Sequence, residues 1–333
     1  MAQQQRLTQI ENIRTLAILL VVLGHSIILY SSDWNLYETT RQVPFFDWIK
    51  KIIDIIQMPL FFSISGYLFV LTHRRKRIRK LVKDKWIRLM VPYLGIGFLW
   101  MLPIRIGVRY KGYENNSVID IILKFLTAND VGHLWFLPAL FLSFLLSEVL
   151  LSIVECIPVL KNFGGIILLF TGGVLYLQGY RIGFRYGPLL SAFNYLIWFA
   201  LGYCLNIYKM YVQNIYKINL IKKTLVWANV LLLCYVMNKD SICVMISNMF
   251  RAMFIINVYE MIPEKTCNII QRIDRNSFGI YLFHSPLVYI TFFCIRNTHP
   301  ALVVFVDFVV WGLAAFSLTE LIRKTKLKIL IGE

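Results

Sequence analysis

The chain has 333 residues, 58% of them hydrophobic and only 16% charged, with a formal net charge of +17. A soluble domain is about a quarter charged, so this chain lacks the polar surface that water demands. Its basic residues cluster between apolar runs, which favours membrane lipid over nucleic acid as the partner of that charge.

Apolar runs near 10–30, 52–72, 89–104, 134–154, 164–180, 189–207, 218–237, 242–259, 277–295 and 301–321 can each span a hydrocarbon core. They predict an all-α polytopic membrane protein of about ten transmembrane helices. No intervening segment is long enough for a soluble domain, so 1–333 reads as a single membrane domain. The first run carries Glu11 and Arg14 and has no small-residue cleavage site, so it reads as a span and not as a signal peptide. Placing the N-terminus inside puts 24 of the 35 Lys and Arg on inner segments or in spans near them. The positive-inside rule then predicts both ends in the cytoplasm, as expected for a multi-pass protein of a bacterial inner membrane.

An ionisable side chain inside a membrane is costly and marks a functional position by default. In the first run Glu11, Arg14 and His25 share one helical stripe. Arg14 and His25 fall about 20° apart around the helix and about 16 Å apart along it. An interfacial Glu11–Arg14 ion pair and a His25 that merely bonds a neighbouring helix are the structural alternatives. In the second run Pro59 predicts a kink, and Ser63, Ser65 and Gly66 form a small polar patch suited to packing or to a site.

Nine of the 35 Lys and Arg lie between His73 and Arg88, read here as a cytoplasmic loop. Guanidinium groups grip phosphates bidentately, and such a loop can also serve topology alone. His133 and Trp135 open the fourth run, where His133 either caps the helix or meets substrate. In the ninth, Ser277, Tyr281 and His284 lie within about 60° on one helical face. No CxxC pair, HExxH, Walker A loop, GxSxG or GxGxxG occurs, which removes support for zinc, ATP and dinucleotide chemistry, and no metal is expected.

Taken in order, Ile10-Glu11-Asn12-Ile13-Arg14-Thr15-Leu16-Ala17 with His25, the segment Phe61-Phe62-Ser63-Ile64-Ser65-Gly66, the Arg74 and Arg77 pair, and the His133 and Ser277–His284 segments resemble the acyltransferase 3 family of membrane O-acyltransferases. Glu11 stands where that family usually has Asp, and Thr15 where it usually has Gly. The resemblance implies transfer of an acyl group, often acetyl from acetyl-CoA, to a hydroxyl of a sugar or a lipid-linked glycan. Under it, His25 is the catalytic base, with Glu11 and Arg14 beside it in the catalytic set. Arg74 and Arg77 bind the donor's phosphates. Ser65, His133, Trp135, Ser277, Tyr281 and His284 shape the acceptor pocket or support the reaction. A transporter or flippase for a glycan intermediate, and a non-catalytic assembly partner, are the competing functions.

Overall fold

A computed structural model describes residues 2–31, 42–73, 78–182, 187–209, 244–295 and 298–333. These are mainly helical, with no strand among the described residues. The helices are α1 (Ala2–Ile27), α2 (Pro44–His73), α3 (Ile78–Lys85), α4 (Val91–Ile96), α5 (Leu102–Gly107), α6 (Val118–Leu126), α7 (Phe136–Glu155), α8 (Gly164–Ile182), α9 (Gly187–Ile207), α10 (Val244–Met261), α11 (Asn268–Ile295), α12 (Pro300–Phe305) and α13 (Trp311–Arg323).

Seven helical stretches among the described residues are long and apolar enough to cross a membrane: Thr8–Tyr30, Pro44–Leu71, Ile78–Gly107, Gly132–Glu155, Gly187–Ile207, Asn268–Ile295 and Pro300–Arg323. Helices α8 and α10 occupy two further expected spans, and the expected span at 218–237 lies outside the described residues. Three expected bounds need correction, since the second span begins at Pro44 rather than near 52 and the ninth expected span at Asn268 rather than near 277. The third span begins at Ile78 rather than near 89, so Lys83, Lys85 and Arg88 sit on a span and not in a loop. Arg74 and Arg77 lie outside the described residues.

The third span is a chain of short helices, α3, α4 and α5, joined by π-helical turns at Trp86–Met90 and Gly97–Met101. Pro92 and Pro103 each follow such a turn. Proline has no N–H to give to the preceding turn, and the wider π turn absorbs that missing bond. Here the widened turn carries Arg88.

Polar residues on α1 are used to tie helix ends together. Gln9 donates to the carbonyls of Tyr259 and Ile262, and Asn12 to those of Pro263 and Lys265. Thr15 donates to the carbonyl of Ile270 at 3.2 Å, so the residue that departs from the family's glycine acts as a cross-helix bond. Carbonyls at a helix end have no intrahelical partner, and in an apolar surround leaving them bare is costly. The start of α1, the start of α11 and the chain's last residues therefore meet at one end of the bundle. Arg323 closes that end by donating to Glu333 and to the carbonyl of Arg275.

The core is built where small residues let backbones touch. A Cβ on Gly66 of α2 would stand 1.9 Å from the carbonyl oxygen of Phe199, and one on Gly202 of α9 only 1.8 Å from that of Ser63. Around this crossing Phe62 stacks on Tyr195, and Phe69 packs on Phe144 and Phe199. The Ser63–Gly66 patch thus divides by face: Ser63 and Gly66 pack α2 on α9, while Ser65 faces a cavity. Large side chains such as Leu99 and Phe170 point outward, as a lipid-facing surface requires.

Candidate active site

The site is assembled where α1, the start of the fourth span and α11 converge. Pro286 sits inside α11 and cannot bond back to the preceding turn, which frees carbonyls there. His133 takes one of them: its Nε2 lies 3.1 Å from the Leu282 oxygen. The Trp100 indole donates to the next, that of Phe283, at 3.1 Å. Tyr281 returns the tie by donating its hydroxyl to the carbonyl of His133. One proline thus dictates how the fourth span docks on α11.

His25 and His284 meet directly, with 3.1 Å between His25 Nδ1 and His284 Nε2. The ring centroid of His133 lies 6.4 Å from that of His25 and 6.0 Å from that of His284. The surrounding carbonyls assign the tautomers. His284 Nδ1 lies 2.7 Å from the Ile280 oxygen, so it carries the proton and leaves Nε2 as an acceptor. His25 Nδ1 lies 2.9 Å from the Val21 oxygen and faces that acceptor, so it too carries a proton. In the neutral ring, His25 Nε2 is then the bare lone pair. By the same logic His133 donates through Nε2, and its buried Nδ1 has no partner among the described residues.

Two cavities flank this cluster. One, of about 200 Å³, is lined by Arg14, Lys85, Arg88, Ser65, Ser277 and Tyr281 over an apolar wall that includes Phe61 and Leu68. The other, of about 320 Å³, is lined by His25, His133 and Trp135, with Arg105, Asp130 and Tyr289. Tyr281 lines the first and bonds the backbone of His133, which lines the second. His25 and His133 thus line the second cavity, and Tyr281 connects that wall to the first.

The sequence stripes are partly reproduced. Ser277 and Tyr281 share a cavity and His284 continues to His25, but Glu11 reaches neither histidine nor cavity. Its Oε2 is buried without a partner among the described residues. Arg14 pairs instead with Asp274, 3.2 Å away on α11. Sequence reasoning missed Asp274, Lys85, Arg88 and Arg105, whereas Asp130 was legible as part of an outer loop, 105–133, that could form an amphipathic element or line an acceptor entrance. For Lys85 and Arg88 the signal was present in the basic run and was assigned to a loop.

Arg105, on α5, is 1% exposed. It donates to Asp130 at 2.9 Å, to the Tyr289 hydroxyl at 3.0 Å and to that of Tyr113 at 3.4 Å. Burial pushes the Tyr113 hydroxyl above its ordinary value while Arg105 pulls it back, and it remains neutral. No group of three or more metal-ligating side chains occurs among the described residues.

A helical membrane bundle with an imidazole cluster between two cavities is the frame of a membrane enzyme, and the family match agrees. Residues 7–321 match the acyltransferase 3 family, described as an acyltransferase domain, and the chain belongs to that family. It is 32% identical over 138 residues to nodulation protein NolL of Sinorhizobium fredii, covering 41% of this chain and 34% of that protein. It is 28% identical over 190 residues to nodulation protein NolL of Mesorhizobium japonicum, covering 54% of this chain and 48% of that protein. The matched region thus spans less than half of each relative. No solved structure matches the chain.

Proposed function

We propose that this protein is a membrane O-acetyltransferase that moves acetyl from cytoplasmic acetyl-CoA to a hydroxyl of a sugar or lipid-linked glycan, in a bacterial inner membrane. The observation that carries this reading is the bare Nε2 of His25 in a cavity whose lining charges are matched, linked through Tyr281 to a cationic cavity. Family membership supports acyl transfer over the transporter and assembly readings.

In this reading the donor enters at the Arg14 end, which faces the cytoplasm. Arg14, Lys85 and Arg88, with Arg74 and Arg77 of the adjoining basic run, hold its phosphates, and the apolar wall accepts the chain that bears the thioester. The acceptor hydroxyl approaches from the His25 side. His25 Nε2 takes the hydroxyl proton as the oxygen bonds to the thioester carbonyl carbon. The carbon–sulfur bond then breaks, and the CoA sulfur leaves as thiolate, able to take the proton from His25. The imidazolium formed in between keeps Nδ1–H on the lone pair of His284, which holds the ring in its working orientation. Ser65, Ser277 and Tyr281 line the path toward that point, and Trp135 walls the acceptor side. Glu11 and Asp274 act through Arg14, which Asp274 holds at 3.2 Å.

The test is transfer of labelled acetyl from acetyl-CoA to surface glycan in cells carrying wild type or His25→Ala. Transfer is expected to fall by about 10²–10⁴-fold in the variant. Equal acetylation with both would sink the mechanism.

A further inference from the structure

We infer that the acceptor cavity is built for an uncharged sugar ring, and that Asp130, held by Arg105, selects it against anionic sugars. This rests on the acyl-transfer reading above and adds the substrate class.

The two cavities differ in charge. The donor side presents Arg14, Lys85 and Arg88, with Asp274 as the acid paired to Arg14. Among the described residues that line the acceptor cavity, the one Lys or Arg is Arg105, already matched by Asp130 at 2.9 Å. Its guanidinium is also boxed by aromatic rings, with Tyr110 and Tyr289 centroids at 4.5 and 5.1 Å. A cation so enclosed offers little to an incoming anion.

Asp130 is the group left facing the ligand. Oδ1 is taken by Arg105, and the side chain keeps 28% exposure at the cavity wall. Oδ2 has no bond among the described residues, so it can accept from a sugar hydroxyl, and its charge repels a carboxylate or phosphate. Trp135 adds an aromatic side chain to the wall, of the kind that packs on the C–H side of a pyranose. The volume of about 320 Å³ lies at the low end for ligand pockets, about 300–1,000 Å³, which suits a sugar ring better than a long oligomer.

The backbone is shaped to keep this pair in place. Gly132 has φ +49°, and a Cβ there would stand 2.2 Å from an Arg105 nitrogen. Arg109 and Ala128 also hold positive φ, at 51° and 57°, although neither is glycine. Strained backbone that persists next to a cavity is characteristic of a constrained site. The amide of Asp130 is fixed in turn by the Lys124 carbonyl at 3.2 Å.

The experiment uses the full chain in lipid vesicles, labelled acetyl-CoA, and two acceptors: an uncharged alkyl hexoside and the alkyl hexuronide with the same ring and chain. Wild type is expected to favour the hexoside in kcat/KM by about tenfold or more. Asp130→Asn should raise the hexoside KM by about tenfold and narrow or reverse that preference, with the acetyl-CoA KM unchanged. Wild type using the hexuronide as well as the hexoside overturns the inference, as does an unchanged preference in Asp130→Asn. If the variant does not fold, the wild-type preference alone decides. Acetylation indifferent to charge removes only the subsite. Acetylation of neither glycoside removes the glycoside-acceptor reading and this inference with it.

Discussion

At the residue scale, the site turns on which nitrogen carries a proton. His25 and His284 were legible in the sequence as intramembrane histidines on polar stripes. Their bond was not, because 259 positions separate them and periodicity describes only one helix at a time. The same limit hid Asp274, which sits 260 positions from its partner Arg14. If His284 orients His25, then His284→Ala should lower kcat by about ten- to a hundredfold and leave the acetyl-CoA KM unchanged. His284→Gln, which can still offer an acceptor to His25 Nδ1–H, should recover part of that loss. Steady-state kinetics on purified protein checks both, and a shifted acetyl-CoA KM in His284→Ala would speak for a donor contact instead. In the proposed reading Arg14 serves the donor: Arg14→Ala is expected to raise the acetyl-CoA KM by about tenfold or more, with acceptor KM unmoved.

At the element scale, two backbone devices matter more than any side chain. Pro286 was visible in the sequence, but its consequence depended on a carbonyl being taken by another span. Pro286→Ala restores an N–H that can bond the Leu282 oxygen within α11. His133 Nε2 would then share its acceptor, and the docking of the fourth span on α11 would loosen. The expected result is a fall in kcat of about tenfold with little loss of thermal stability, since the helix itself gains a bond. The α2–α9 crossing behaves in the opposite way. Gly66→Val places side-chain atoms into the Phe199 carbonyl and forces the helices apart, at a cost of about 1–3 kcal/mol or more. A lowered unfolding temperature in detergent, with parallel loss of activity, is the expected reading. The sequence left Ser63, Ser65 and Gly66 open between packing and a site, because both uses favour small residues. Only the partner backbone on α9 separates them.

At the scale of the whole molecule, hydropathy found the spans well and their ends poorly. The third span shows why. Residues 78–88 are rich in Lys and Arg, so a composition window assigns them to a loop, yet Leu81 and Leu89 are buried and the helix runs through them. Long basic side chains can sit on such an inner turn because their charged ends reach polar surroundings while their stems cover apolar surface. That extension carries Lys85 and Arg88 into the donor cavity and makes the molecule asymmetric, cationic at one end and charge-matched at the other. With cytoplasmic acetyl-CoA as the proposed donor, this asymmetry predicts that the Arg14 end faces the cytoplasm. Cys267, exposed between α10 and α11, lies at that end, and Glu114, exposed before α6, lies in the segment toward the other. In sealed cells with the outer membrane removed, a membrane-impermeant maleimide should label Glu114→Cys and spare Cys267 until the cells are opened. The reverse pattern would place the cationic cavity outside, beyond the reach of cytoplasmic acetyl-CoA, and the proposed direction of transfer would fall with it.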